Sequence, residues 1–138
     1  METIDYGIDL GTTNSLIAKY SKGKVEVFKN PVGFKETLPS CVAFRGERIL
    51  VGDKAREYIV KDPLNVFSAF KRKMGTSEKY LIPSLMSYYS PIGLSAMVLK
   101  ELKNFIPEVQ KPSSIVITIP ASFDTVQCNA TKEAGKEA

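Results

Sequence analysis

YGIDLGTTNSLIAKY, residues Tyr6 to Tyr20, is an apolar run broken by a polar knot, Asp9-Leu10-Gly11-Thr12-Thr13-Asn14, and resumed at Leu16. Ile4, Tyr6, Ile8 and Leu10 alternate with less apolar neighbours, and Leu16-Ile17-Ala18 is a run of the buried type, so a strand is expected on each side of the knot. Gly11-Thr12-Thr13-Asn14 is short enough to join the two as a hairpin. Ser21-Lys22-Gly23 plays the same part before a third strand at Val25-Glu26-Val27, which makes an antiparallel meander. Beyond a loop from Pro31 to Glu36, Ser40-Cys41-Val42-Ala43-Phe44 reads as another strand. Arg45-Gly46-Glu47-Arg48 then turns the chain into Ile49-Leu50-Val51.

The middle of the chain changes period. Asp53 to Val60 reads as a short helix closed by Lys61-Asp62-Pro63, and Asn65 to Met74 as a second, with Gly75 at its C-terminal cap. Ser90-Pro91 is a cap followed by proline at the first helical position. It opens a helix whose Leu94, Met97, Val98, Leu102, Phe105 and Ile106 share one face, and Pro107 closes it. Ser114 to Ile119 is a β-branched run of the kind buried on both faces. After Pro120, Asp124 and Gln127 make a capping box for a helix with Val126, Ala130 and Ala134 on one side. The fold class is α/β: a meander, a mixed α/β excursion, and a returning buried strand plus helix.

Composition narrows the chemistry. The 138 residues are 43% hydrophobic and 25% charged, which suits a globular domain or a piece of one. The net charge of +4 is spread along the chain, and its densest cluster, Lys71-Arg72-Lys73, is too short for a nucleic-acid patch. No apolar run approaches the ~18 residues of a membrane span. The acidic N-terminus lacks the layout of a signal peptide, so a cytoplasmic location is expected. Two distant cysteines, Cys41 and Cys128, and the lack of any histidine argue against a zinc site or a histidine-based triad.

The knot remains. No G-x-x-x-x-G-K-[ST] is present, and Gly7 and Gly11 do not make G-x-G-x-x-G. A loop between two strands also has no helix N-terminus with which to hold an anion. Gly11 could still let the backbone approach a phosphate, successive N–H groups could form a nest, and Thr12 and Thr13 could add hydroxyl donors. Asp9, at the end of the first strand, could hold a hydrated Mg²⁺. Gly, Thr and Asn are equally ordinary turn residues, so local physics leaves a plain hairpin open.

IDLGTTNS at Ile8 to Ser15 resembles the first phosphate motif of the actin-like ATPase superfamily, whose fold is ribonuclease H-like. The closest likeness within it is to the 70-kDa heat-shock (DnaK-type) chaperone family. LPSCVAF at Leu38 to Phe44, VGDKAR at Val51 to Arg56, FKRKMG at Phe70 to Gly75 and YSPIGLSAMVLKELK at Tyr89 to Lys103 follow in family order. VITIPASFD at Val116 to Asp124 and ATKEAG at Ala130 to Gly135 complete the set. The resemblance implies the N-terminal part of lobe I of an ATPase domain. It implies a first subdomain at 1–38 and 112–138, incomplete, and a second, trimmed one at 39–111. It implies ATP or ADP with Mg²⁺ as cofactors, Asp9 as the metal-side carboxylate acting through water, and Gly11, Thr12, Thr13 and Asn14 as the phosphate loop. Thr12 and Thr13 would face the β- and γ-phosphates, and Lys71 would be the catalytic lysine steadying the γ-phosphate and the attacking water. Arg72 would meet a domain or partner. Unfolded peptide clients, a J-domain co-chaperone and a nucleotide-exchange factor are the partners implied for the whole protein, with neither nucleic acid nor membrane among them.

The chain departs from the family pattern at three places. Thr76 to Tyr88 is shorter than usual, Cys128 stands where arginine is usual, and family members continue past Ala138 into a further strand and a second phosphate loop. The isolated chain is therefore expected to be inactive as an ATPase and to self-associate as a dimer that pairs the open edges beside the Ser114–Ile119 strand or swaps the last helix. A bacterial actin-like filament protein shares IDLGT but tends to have alanine in place of Thr13 and lacks FKRKMG. Sugar kinases share a similar loop but need a sugar-binding aspartate elsewhere. An interaction fragment without nucleotide function is the third alternative.

Overall fold

The computed structural model describes residues 5–112 and 114–138. Strands β1 (Tyr6–Asp9), β2 (Asn14–Ser21) and β3 (Lys24–Val27) form the expected antiparallel meander, with Asp9 opposite Leu16 and Ser21 opposite Lys24. Lys22 and Gly23 both have positive φ, as a two-residue turn between right-twisted strands requires. Ile4, the first residue of the expected alternation, lies outside the described residues. Inward-facing Tyr6, Ile8, Leu10 and Ile17 are buried, so period-two patterning in the sequence became one apolar face of a sheet.

β4 (Leu38–Pro39) pairs with the start of β2, and β10 (Val116–Thr118) pairs in parallel with β1, giving the order β10-β1-β2-β3 with β4 to one side. A second sheet has β5 (Cys41–Arg45) between β6 (Arg48–Val51) and β7 (Val66–Ser68). Cys41, Val42, Ala43 and Phe44 are all buried, in keeping with a central strand. β8 (Tyr80–Ile82) and β9 (Ser87–Tyr89) make a separate hairpin.

Helix α1 (Asp53–Glu57) is a turn and a half against β5 and β6. Helix α2 (Pro91–Lys103) begins where expected, with the Ser90 hydroxyl accepting from the Gly93 N–H at 3.0 Å. It buries Leu94, Val98, Leu99 and Leu102, each worth about 1.5–3 kcal/mol on burial. Helix α3 (Thr125–Glu137) carries the predicted capping box: Asp124 accepts from the Gln127 N–H at 2.8 Å and Gln127 Oε1 accepts from the Asp124 N–H at 2.9 Å. α2 packs against both α3 and β2. One apolar core runs from Tyr6, Ile8 and Ile17 through Phe44, Phe70 and Met74 to Leu94, Leu99 and Ala134.

Three expectations need correction. Asn65 to Met74 is not a helix. It is β7 followed by a 3-10 turn at Phe70–Lys73, because Val66 and Phe67 pair with Ala43 and Val42 and Ala69 takes a left-handed φ of 56° that no helix interior allows. The Asp53 helix stops at Glu57 rather than Val60, and Val60 is exposed. The returning strand is short and only half-covered: Val116 and Ile119 are 47% and 45% exposed, and β10 has one paired edge among the described residues. Beside it, Ile8, Leu99, Ile117, Ile119, Cys128 and Gly135 border a groove of about 630 Å³. The two α3 alanines are buried as expected, whereas Val126 is 57% exposed.

Candidate functional site

The site is built at the end of β1. Asp9 is exposed there, and the parallel register that sets it beside Thr118 of β10 lets the Thr118 hydroxyl reach its Oδ1 at 3.4 Å. The chain then enters the loop. A Cβ at Gly11 would lie 2.0 Å from the Asn14 carbonyl oxygen, so only glycine permits this path.

Both peptide groups of Gly11 are tied down. Its N–H donates to Ser15 Oγ at 3.2 Å and its carbonyl accepts from Ser40 Oγ at 2.8 Å. The two hydroxyls meet at 2.8 Å, and the Ser40 N–H donates to the Thr13 carbonyl at 2.9 Å. Ser15 and Ser40 are buried, so these bonds form where water competes poorly. Among the described residues the N–H groups of Thr12 and Thr13 have no hydrogen-bond partner, and the Thr13 and Asn14 side chains are exposed. Pinned carbonyls with N–H groups left over are the parts of an anion nest.

Lys71 arrives from the second sheet's side of the core. Its turn is anchored on both flanks by buried Phe70 and Met74, the latter accepting a contact from Ser95 Oγ at 3.5 Å. Burial pushes the Lys71 ammonium below its ordinary pKa, while the charge of Asp9 pulls it back up. Its Nζ stands 5.7 Å from the centre of the Phe123 ring. Lys71 is thus near enough to Asp9, the residue that opens the loop, to feel its charge. Arg72 is exposed, and Cys128 sits half-buried on α3. Cys41 is unsuited to nucleophilic chemistry, since burial raises its thiol to about 11 despite nearby Arg56.

Sequence reasoning gave no role to Ser15, Ser40, Thr118 or Phe123. The first two lie within the strings IDLGTTNS and LPSCVAF, but their pairing depends on β4 meeting β2. No group of three or more metal-ligating side chains occurs among the described residues. A single carboxylate agrees with a Mg²⁺ ion that retains most of its water.

Residues 5–84 and 78–138 match the family described as Hsp70 protein. Over 131 residues the chain is 45% identical to the "Chaperone protein DnaK" of Ureaplasma urealyticum, which covers 94% of this chain and 21% of that relative. The protein of the same name from Mycoplasma mycoides is 42% identical over 131 residues, covering 94% and 22%, and that from Mycoplasma mobile is 42% identical over 132 residues, covering 94% and 21%. The chain spans about a fifth of the length of these curated relatives.

Proposed function

Because the chain belongs to the Hsp70 protein family, we propose that it is the N-terminal part of the ATPase domain of a chaperone that binds and hydrolyses ATP to control peptide binding and release. In this reading it contributes part of lobe I of an actin-like, ribonuclease H-like fold, with subdomains at 1–38 with 112–138 and at 39–111. Unfolded peptides, a J-domain co-chaperone and a nucleotide-exchange factor are its partners, and the cytoplasm is its location. No described helix is long and apolar enough to cross a membrane.

The observation that supports the reading best is the convergence of Asp9 and Lys71, of opposite charge and far apart in sequence, beside a loop with spare N–H donors. Gly11 to Asn14 would hold the β- and γ-phosphates through the Thr12 and Thr13 N–H groups and hydroxyls. Asp9, beside the Thr118 hydroxyl, would hold Mg²⁺ through water, and the metal would offset phosphate charge. The Lys71 ammonium would steady the γ-phosphate and the attacking water as negative charge shifts during phosphoryl transfer.

Lys71→Ala in the full-length protein tests this. A cation that acts mainly on the transition state contributes several kcal/mol to chemistry and little to ground-state binding. Single-turnover hydrolysis should fall by about 100-fold or more, with equilibrium Mg-ATP binding nearly intact. Unchanged turnover would remove Lys71 from the site.

A further inference from the structure

Lys71 makes no ion pair among the described residues, whereas its neighbour Lys73 pairs with Glu78 at 3.4 Å. What lies against Lys71 is an aromatic face, the Phe123 ring. Such a ring attracts a cation through its quadrupole, yet it neither neutralises the charge nor occupies an N–H. A carboxylate in the same place would do both and would compete with an incoming phosphate.

The backbone that carries the ring is held on both sides of it. The Phe123 N–H donates to the Pro120 carbonyl at 3.0 Å, and the next residue, Asp124, begins the capping box of α3. The turn carrying Lys71 ends at Gly75, which takes a φ of 82°. A Cβ on Gly75 would lie 3.1 Å from Val126 Cγ1 and 3.2 Å from the Gln127 N. Gly75, just after the lysine turn, therefore lies close against Val126 and Gln127 in the first turn of α3, a second point at which the two segments meet.

We propose that Phe123 is a positioning residue for Lys71: its ring holds the ammonium at the site and leaves the three N–H donors free for anionic oxygen. The inference rests on the role given to Lys71 above.

Two readouts test it. The first needs no activity. After reductive ¹³C-methylation of the 138-residue chain, the Lys71 dimethylammonium resonance, assigned by its loss in Lys71→Arg, should be shifted by ring current away from the exposed lysines. It should return to them in Phe123→Leu and stay shifted in Phe123→Tyr. The second is single-turnover hydrolysis by the full-length protein. Phe123→Leu should slow it about tenfold, Phe123→Tyr should restore it, and Mg-ATP affinity should change by less than about twofold in either. An unshifted Lys71 resonance in the unsubstituted chain overturns the proposal. So does a Phe123→Leu protein of full turnover when Lys71→Ala has lost it. If Lys71→Ala leaves turnover intact, the catalytic reading of Lys71 fails, and the positioning role falls with it even where the ring shift is present.

Discussion

Gly7 and Gly11 stand four residues apart in the same segment and differ in what surrounds them. A Cβ on Gly7 would meet nothing closer than the Val116 carbonyl oxygen at 3.9 Å, an ordinary contact, whereas one on Gly11 would collide with the Asn14 backbone. Gly11→Ala should therefore cost about 1–3 kcal/mol in urea unfolding and weaken Mg-ATP binding by the full-length protein about tenfold or more. Gly7→Ala should be close to neutral in both. Equal effects at the two positions would mean that the loop path has been misread. Asp9, Gly11 and Lys71 could be named as candidates from the sequence because the segments bearing them have recognisable strings. The nearness of Phe123 to Lys71 could not be read there, because it depends on a turn and a helix start meeting at Gly75 and Val126, a contact that no local pattern encodes.

At the scale of elements, the loop after β3 is tied to α1 by one carboxylate. Asp53 accepts from Asn30 Nδ2 at 2.7 Å and is ion-paired with Lys35, with Arg56 farther off at 4.0 Å. Burial works against the Asp53 charge, but the hydrogen bonds from Lys35 and Asn30 and the charges of Lys35 and Arg56 outweigh it and hold the carboxyl below its usual range. A folded value below the unfolded one, about 3.9, gives stability that is present in full above that pH and is lost as pH falls through the folded value. Asp53→Asn should lower stability by about 1–2 kcal/mol near neutral pH, a figure reduced by the partial exposure of Lys35. The variant should also show a smaller further loss than the parent chain as pH falls below about 4. Parallel acid slopes in urea titrations of the two proteins would contradict this. The hairpins β1–β2 and β2–β3 were readable because alternation and turn chemistry are local. β7 was not, since Val66 and Phe67 become a strand only by pairing with β5, more than twenty residues earlier in the chain. β8 and β9, three residues each, are too short to show a period.

At the scale of the whole molecule, β10 is an apolar strand that the described residues cover only in part. Its parallel partner β1 occupies one edge, Val116 and Ile119 are about half exposed, and the groove between this strand and helices α2 and α3 is bordered by Ile8, Ile115, Ile117 and Ile119 together with the lysines Lys103, Lys132 and Lys136. An edge and groove of this kind favour pairing with a second copy. Sedimentation equilibrium from low to high micromolar concentration should show a dimer that dissociates on dilution, and Ile119→Lys should shift the equilibrium toward monomer. A constant monomer mass across that range would count against it. Placing a strand within Ser114 to Ile119 was possible from β-branched residues alone, although only Val116–Thr118 pairs. How much of it would be covered was not, because cover depends on which elements lie beside it.

The buried hydroxyls of Ser15 and Ser40 bear on when the loop between β1 and β2 loses its freedom. Immobilising a few residues of backbone opposes any ligand that must do it on arrival, at about 1–2 kcal/mol per residue. Here Gly11 is fixed through both of its peptide groups, and Thr13 through its carbonyl, by residues whose burial belongs to the core. The ordering entropy is consequently charged to folding, and the loop is preorganised before any ligand arrives.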